Sequence, residues 1–421
     1  MSMKDWPGGV VSKTAVVPAG PYQTGAASGI WSLDQAADYA KQGIWPIAGN
    51  TVPIVTTYGT VQTFATGATG SPRIAIDDRR TQRFVVAYYN NSAANVGTMI
   101  AGDISGNTVT YGTAAVFNNS ATYYTSAVAM NKSDADKFVV TYCDVNSSYY
   151  GKSRTVTLSG TSISFGSVVT FNSGGTFVSA LDFDSVEDST FAIAFKDSGN
   201  SDYGTAIIGT VDGAYTGISY GSKYVFNSTG STPSMDIAAD PNTSYKFVIV
   251  YQVGSNQGKA VVATRSGTTI SYGSVYTFDS GAIQDPKIDF DAANAGKFII
   301  TFKDNTNSGY GTCIVGTISG TTLSFGTKAV YLSGSANGAT ISCDRNTAGQ
   351  FVVAYQDHSD SDYGYTVRGF NDNDVITYQT PAKFNSASTQ TPDVVFKTDV
   401  AGKFVTVFAD GQGKSVVGDI S

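Results

Sequence analysis

Phe84-Val-Val-Ala-Tyr88 returns as Phe138-Val-Val-Thr-Tyr142, Phe298-Ile-Ile-Thr-Phe302 and Phe351-Val-Val-Ala-Tyr355, with close variants opening at Phe191, Phe247 and Phe404. The seven phenylalanines are spaced by 54, 53, 56, 51, 53 and 53 residues, so the 421-residue chain is an array. A fixed period in this range marks stacked or ringed supersecondary units, and about 50 residues suits four strands per unit. Each run is apolar on both sides: Phe84, Val86 and Tyr88 face one way, Val85 and Ala87 the other. Such a strand needs an apolar neighbour on either face, as in a strand sandwiched between successive units. Truncating one of these phenylalanines to alanine should cost about 3–5 kcal/mol, which assigns them to the core.

A second marker decides between an open stack and a closed ring. An aromatic residue followed by glycine ends each repeat, at Tyr58-Gly59, Tyr111-Gly112, Phe165-Gly166, Tyr220-Gly221, Tyr272-Gly273 and Phe325-Gly326, with Tyr378-Gln379 as the variant. The first precedes the first phenylalanine run and none follows the last, so the array is offset by one strand. A solenoid has no reason to divide a repeat in this way. A ring does, because the early strand can complete the last unit beside Lys414 to Asp419 and leave no unpaired edge. The fold predicted is all-β: a seven-bladed β-propeller over residues 54–421, with about 53 residues per four-stranded blade and residues 54–66 completing the last blade.

Within a repeat, the first strand leads to a tight turn of pattern Asp-x-x-x-x-Gly-Lys-Phe, as at Asp291 to Phe298. Asp77, Asn131, Asp184, Asp240, Asp291 and Asp344 open these turns, and Lys397 departs from the pattern. An Asx-type turn capping its own backbone explains these side chains without a metal. Ser-Gly-Thr hairpins, for example Ser266 to Thr268, join the third strand to the fourth.

The composition suits short strands and many turns, with 46 Gly and 25 Tyr among 421 residues. A formal charge of -7 argues against a phosphate-binding surface, so nucleic acid is not an expected partner. Cys143, Cys313 and Cys343 lack metal-ligand spacing and sit where small hydrophobes fit. His358 is the single histidine, which removes histidine-dependent triads and His-rich zinc sites. Carboxylate-only glycosidase chemistry stays open, but the Ser-x-Asp-x-Gly-x-Thr-Trp boxes of sialidase-type propellers are missing. The expectation is a non-enzyme without cofactor or metal. No stretch reaches transmembrane length and no export signal is evident, so membrane insertion is not expected.

Residues 1–53 lie outside the repeat and hold all three tryptophans, Trp6, Trp31 and Trp45. Ser32-Leu-Asp-Gln35 has capping-box spacing, Leu33, Ala36, Ala37 and Ala40 form a narrow apolar stripe, and Gly43 precedes Pro46. A helix over 33–42 is predicted, and one so short needs a surface to dock on. That surface is either the end of its own propeller or another subunit, for which Trp6, Trp31, Leu33 and Trp45 are the anchoring candidates.

The stretch Ala27-Ser-Gly-Ile-Trp31-Ser-Leu-Asp-Gln-Ala-Ala-Asp-Tyr-Ala-Lys-Gln-Gly43-Ile-Trp45-Pro46 resembles a G-x-W-x-L segment followed by W-P in tail-fibre and other virion proteins of tailed bacteriophages. The Lys-Phe-Val-Val-x-Tyr and Ser-Gly-Thr-x-Ile-Ser-Phe-Gly phrases resemble repeat-bearing phage structural proteins, especially those of marine phages. The resemblance implies a place in the virion, in or near the tail, and a structural role in assembly or host attachment, with the propeller either contacting the host surface or decorating the particle. It implies tail proteins as partners of the arm and brings no catalytic motif. Homo-oligomerisation is left open.

Any ligand site is expected on the face that carries the loops between second and third strands. The longest and most polar of these are Asp197 to Gly204, Asp304 to Gly311 and Asp357 to Gly364. Their Asp197, Asp202, Tyr203, Asp304, Tyr310, Asp357, Asp362 and Tyr363 suit a host-surface glycan, since aromatic rings cover sugar C–H groups while short polar side chains reach hydroxyls. The competing explanation is that the aspartates make ordinary turns and the tyrosines begin the third strand. No loop has full calcium-loop spacing.

Overall fold

A computed structural model describes residues 55–420, except residues 78, 80, 81, 186–188 and 255. The predicted helix over 33–42 and the four anchoring candidates Trp6, Trp31, Leu33 and Trp45 lie outside the described residues. The described chain is all-β, interrupted only by single 3₁₀ turns.

Each phenylalanine run is the second strand of an antiparallel set of four. In one such unit Ile283–Phe290, Lys297–Asp304, Tyr310–Ser319 and Thr322–Phe325 pair in order, and the start of Ala329–Cys343 continues the fourth position. The remainder of Ala329–Cys343 then becomes the first strand of the next unit, against Gln350–Asp357. One unit is assembled from distant parts of the chain. Gly413–Ile420 pairs with Lys403–Ala409 on one side and with Thr56–Tyr58 and Gln62–Ala65 on the other, in register Thr56↔Ile420, Tyr58↔Gly418 and Gln62↔Ser415.

Packing follows the two-sided pattern. Phe84, Val86 and Tyr88 join Phe64, Val405, Val407 and Val417 in one cluster, while Val85 and Ala87 join Phe138, Val140 and Tyr142 in the next. All seven phenylalanines are fully buried. Outer-strand aromatics stitch the units together: Tyr111 meets Phe64 at 5.9 Å, Tyr220 meets Phe171 at 6.0 Å, and Tyr378 meets Tyr331 at 6.0 Å. The same contact crosses the seam, where Tyr58 meets Phe384 at 6.3 Å. Each pair adds about 0.5–1.5 kcal/mol beyond its buried area.

The marker glycines have a steric reason. A Cβ on Gly112, Gly221 or Gly273 would lie 2.5, 2.5 or 2.6 Å from the carbonyl oxygen of Thr161, Thr268 or Thr321, each in the third-to-fourth hairpin of the following unit. Gln379 stands where the following unit has no such hairpin, because its third and fourth strands are Gly413–Ile420 and Thr56–Ala65.

Two sets of carboxylates span the joints between units. Asp77 accepts the Arg79 N–H at 2.9 Å, as an Asx turn requires, and its other oxygen accepts the Asp136 N–H of the next unit at 2.7 Å. Asp344 does the same with Asn346 at 2.9 Å and Gly402 at 2.8 Å. Deeper in, Asp182, Asp236, Asp289 and Asp393 accept N–H groups from Ala239, Ile288, Cys343 and Ile74 on the neighbouring first strands. These first strands line a cavity of about 240 Å³ that reaches all of the units.

Candidate binding face

Loops between second and third strands share a face with the connections that lead from one unit to the next. The backbone proves it: Thr122, Thr176, Thr232 and Thr389 on the connections donate N–H bonds to the loop carbonyls of Asn95, Tyr149, Asp202 and Asp362 at 2.8–3.0 Å. The loops are single 3₁₀ or hydrogen-bonded turns, each headed by a polar cap and closed by residues in the left-handed region.

The head residues turn inward. Asp197 is 1% exposed; it caps Gly199 N–H at 3.2 Å, accepts from Asn172 at 3.1 Å and pairs with Lys223 at 2.7 Å. Asp304 is 2% exposed, capping Asn307 N–H at 3.1 Å and sharing Lys328 with Asp279 at 2.9 and 2.7 Å. Asp357 is 8% exposed and accepts the Ser359 N–H at 2.9 Å. The geometry turns these three inward: each buried carboxylate caps its own turn, and those of Asp197 and Asp304 also hold a lysine. Their polarity in the sequence reflects turn formation.

The other named residues lie nearer the surface but are not gathered at one place. Asp202 accepts from Ser198 at 2.6 Å, with Lys196 at 3.8 Å. Asp362 meets the exposed His358 ring at 2.7 Å. Tyr203, Tyr310 and Tyr363 open their third strands opposite Asp197, Asp304 and Asp357 and are half-buried. Lys383 covers the Tyr363 ring at 4.3 Å and pairs with Asp360 at 2.8 Å, and this hydrogen-bonded pair holds the Asp360 carboxyl below the usual carboxylate range. Among the described residues, no group of three or more His, Cys, Asp or Glu side chains could hold a metal ion. The thiols are buried and free, and burial pushes those of Cys143 and Cys313 up to about 12.

One cluster on this face was absent from the sequence-based candidates. Tyr123 and Phe177 occupy equivalent positions on adjacent units, just after Thr122 and Thr176, and Tyr149 on the intervening loop touches both. Ring centroids lie 5.9 Å apart for Tyr123–Tyr149, 5.8 Å for Tyr123–Phe177 and 5.1 Å for Tyr149–Phe177. Tyr123 is 37% and Tyr149 36% exposed. Aligning the repeats residue by residue would expose the cluster, because Tyr149 falls in register with Asn95, Asp202, Asn256, Gly309 and Asp362.

Solved structures place this architecture. The chain is similar to the BP39L lectin from Burkholderia pseudomallei, with a TM-score of 0.63 at 8% identity over 85% of this chain and 97% of that one. The chain has a β-propeller fold. The β-propeller domain of Cps50 (Swd1) from Myceliophteria thermophila aligns with a TM-score of 0.57 at 8% identity, over 87% of this chain and 100% of that one. Sqt1 from Chaetomium thermophilum aligns at 0.51 with 12% identity, over 85% and 98%. At these identities the likeness concerns the fold alone. No protein-family model matches this propeller, and no curated protein matches it either.

Proposed function

We propose that this protein is a non-enzymatic attachment propeller of seven blades, displayed on a tailed-phage particle, in the tail, by an N-terminal arm of residues 1–53. The seven-blade count is supported by the seven buried phenylalanine strands, each in its own four-stranded set, and by the Tyr58–Phe384 contact across the seam. The observation that carries the attachment reading is the state of the loop face. Asp197, Asp304 and Asp357 are committed to caps, and the first two also to lysines, while the exposed Tyr123 and Tyr149 stand beside surface polar side chains as a surface for contact. The phage assignment rests on the resemblance carried by Ala27 to Pro46 and by the repeat phrases.

The test is incorporation into particles of a version lacking residues 1–50, with its melting temperature recorded. Failure to incorporate with an unchanged melt is the expected result. Normal incorporation would overturn the anchoring role. The exposed Tyr123–Tyr149–Phe177 cluster favours a second reading, a glycan-binding lectin that is itself the receptor-binding protein. A polysaccharide-degrading activity would instead release reducing ends and lose that activity on Asp-to-Asn exchange in a loop.

A further inference from the structure

Three departures from the repeat meet at one point on the loop face. The first is backbone conformation. Tyr149 has φ 63°, where the equivalent positions hold Asn95, Asp202, Asn256, Gly309 and Asp362. Asparagine, aspartate and glycine tolerate this region, whereas a bulky side chain there is a strained exception of the kind that gathers at functional sites. The second is an aromatic pair at positions that other units fill with Gly70, Gln284, Asn337 and Gln390. The third is an added residue. The first-strand bulge holds two residues in the other bulged units, such as Ser71 and Pro72 opposite Tyr88, but three here, between Tyr123↔Cys143 and Ala127↔Thr141.

These departures gather three rings in mutual contact beside a charged pair. Tyr149 and Tyr123 are nearly perpendicular at 90°, Phe177 is tilted 39° to Tyr149, and the Lys196 ammonium lies 5.2 Å from the Phe177 ring centre. Lys196 is matched by Asp202 at 3.8 Å, so the charge beside the rings is balanced.

We propose that Tyr123, Tyr149 and Phe177 form a subsite for one neutral pyranose ring of a glycan. This deepens the attachment function proposed above and rests on it. Size selects the occupant. Exposures of 37% and 36% leave roughly 80 Å² on each tyrosine, taking about 150–250 Å² for a whole aromatic side chain. Two such ring-sized patches side by side offer apolar contact to the C–H face of one sugar. The carboxylate of Asp202 beside Lys196 leaves no unmatched cation next to the rings, which selects a neutral sugar over a sialylated or phosphorylated one.

The experiment uses the full chain and residues borrowed from its own repeat. Tyr149→Asn copies Asn95 and Asn256, and Tyr123→Gln copies Gln284, so both replacements fit the local backbone. Wild type, the double variant and a Tyr245→Asp control, which copies Asp136 in the turn between first and second strands on the other face, are applied to an array of neutral hexose oligosaccharides, sialylated glycans and aromatic peptides. Melting temperatures and particle incorporation are measured in parallel. The expected result is neutral-hexose binding weakened at least tenfold in the double variant and unchanged in the control, with a melting temperature no lower than wild type. Undiminished hexose binding by the double variant would overturn the subsite. Preference for sialylated glycans or peptides, or no binding to any probe, would overturn the neutral sugar. In each case normal particle incorporation would leave the proposed attachment function standing, whereas loss of incorporation by the double variant would assign the cluster to particle assembly and overturn the sugar subsite.

Discussion

Tyr58 is where the closing of the ring can be weighed. Its hydroxyl donates to the Ala382 carbonyl at 3.0 Å and shares a hydrogen bond with the Thr366 hydroxyl at 2.7 Å, across 324 and 308 residues of sequence. Its ring stands edge-on to Phe384 and Phe404 at 6.3 and 6.5 Å. Tyr58→Phe removes both hydrogen bonds and keeps the ring, which should cost about 1–2 kcal/mol. Tyr58→Ala also empties the site between the two phenylalanines, for a total of about 3–5 kcal/mol. Urea denaturation followed by circular dichroism measures both, with Tyr272→Phe as the control. That residue donates a single bond to the Tyr224 carbonyl at 3.0 Å between units continuous in sequence, so its loss should cost about 1 kcal/mol. A Tyr58→Ala cost below about 1 kcal/mol, beside a Phe404→Ala cost of about 3–5 kcal/mol, would refute the reasoning, because the early strand would then not be holding the last unit closed.

Other consequences are open to measurement. Arg265 Nε and Asp184 Oδ2 pair at 2.7 Å with side chains 2% and 0% exposed, so Arg265→Met alone should destabilise by about 3–5 kcal/mol and adding Asp184→Leu should recover much of the loss, read by urea midpoint. Burial raises the Asp289 carboxyl to about 6; the Cys343 N–H and Arg345 oppose this, while Asp182 adds to it. Because this folded-state value lies above the unfolded one, the protonated form favours folding. The contribution is present below the unfolded pKa of about 4 and is lost as pH rises through about 6, so Asp289→Asn should flatten the decline in melting temperature between pH 4 and 7. Gly273→Ala should cost about 1–3 kcal/mol by clashing with Thr321, whereas Gln379→Gly should change stability by less than about 1 kcal/mol, both read by thermal melts.

The repeat was legible because the second strand must be apolar on both faces. Phe84 to Tyr88 and its copies satisfy that demand with nearly the same residues each time. The aromatic–glycine marker was legible for a related reason: the glycine answers a neighbouring carbonyl that recurs with every unit, and its absence at Gln379 coincides with the missing hairpin. Asp77 and its counterparts could be read as Asx turns from local spacing alone. Their second bond, to the following unit, could not, because it joins residues nearly 60 positions apart. The loop face was harder still. For Asp197, Asp304 and Asp357 the sequence leaves a ligand contact and an ordinary turn side by side, and it is the fold that shows each capping its own loop. Tyr123, Tyr149 and Phe177 are scattered over 55 residues and share no motif, so their meeting is a product of two adjacent units being side by side.

The pairing of Thr56–Tyr58 with Gly418–Ile420 also sets a timetable. Tyr58 and its partner Gly418 are 360 residues apart (418 − 58), and at ribosomal speeds of about 5–20 residues per second the early strand waits roughly 20–70 s for its mate. Throughout that interval the apolar side of Phe64 and the edge of Thr56–Ala65 are available to any complementary strand, including Gly413–Ile420 of another copy. Crowded polysomes should therefore favour an exchange of ends between chains, and slow or dilute synthesis the monomeric ring.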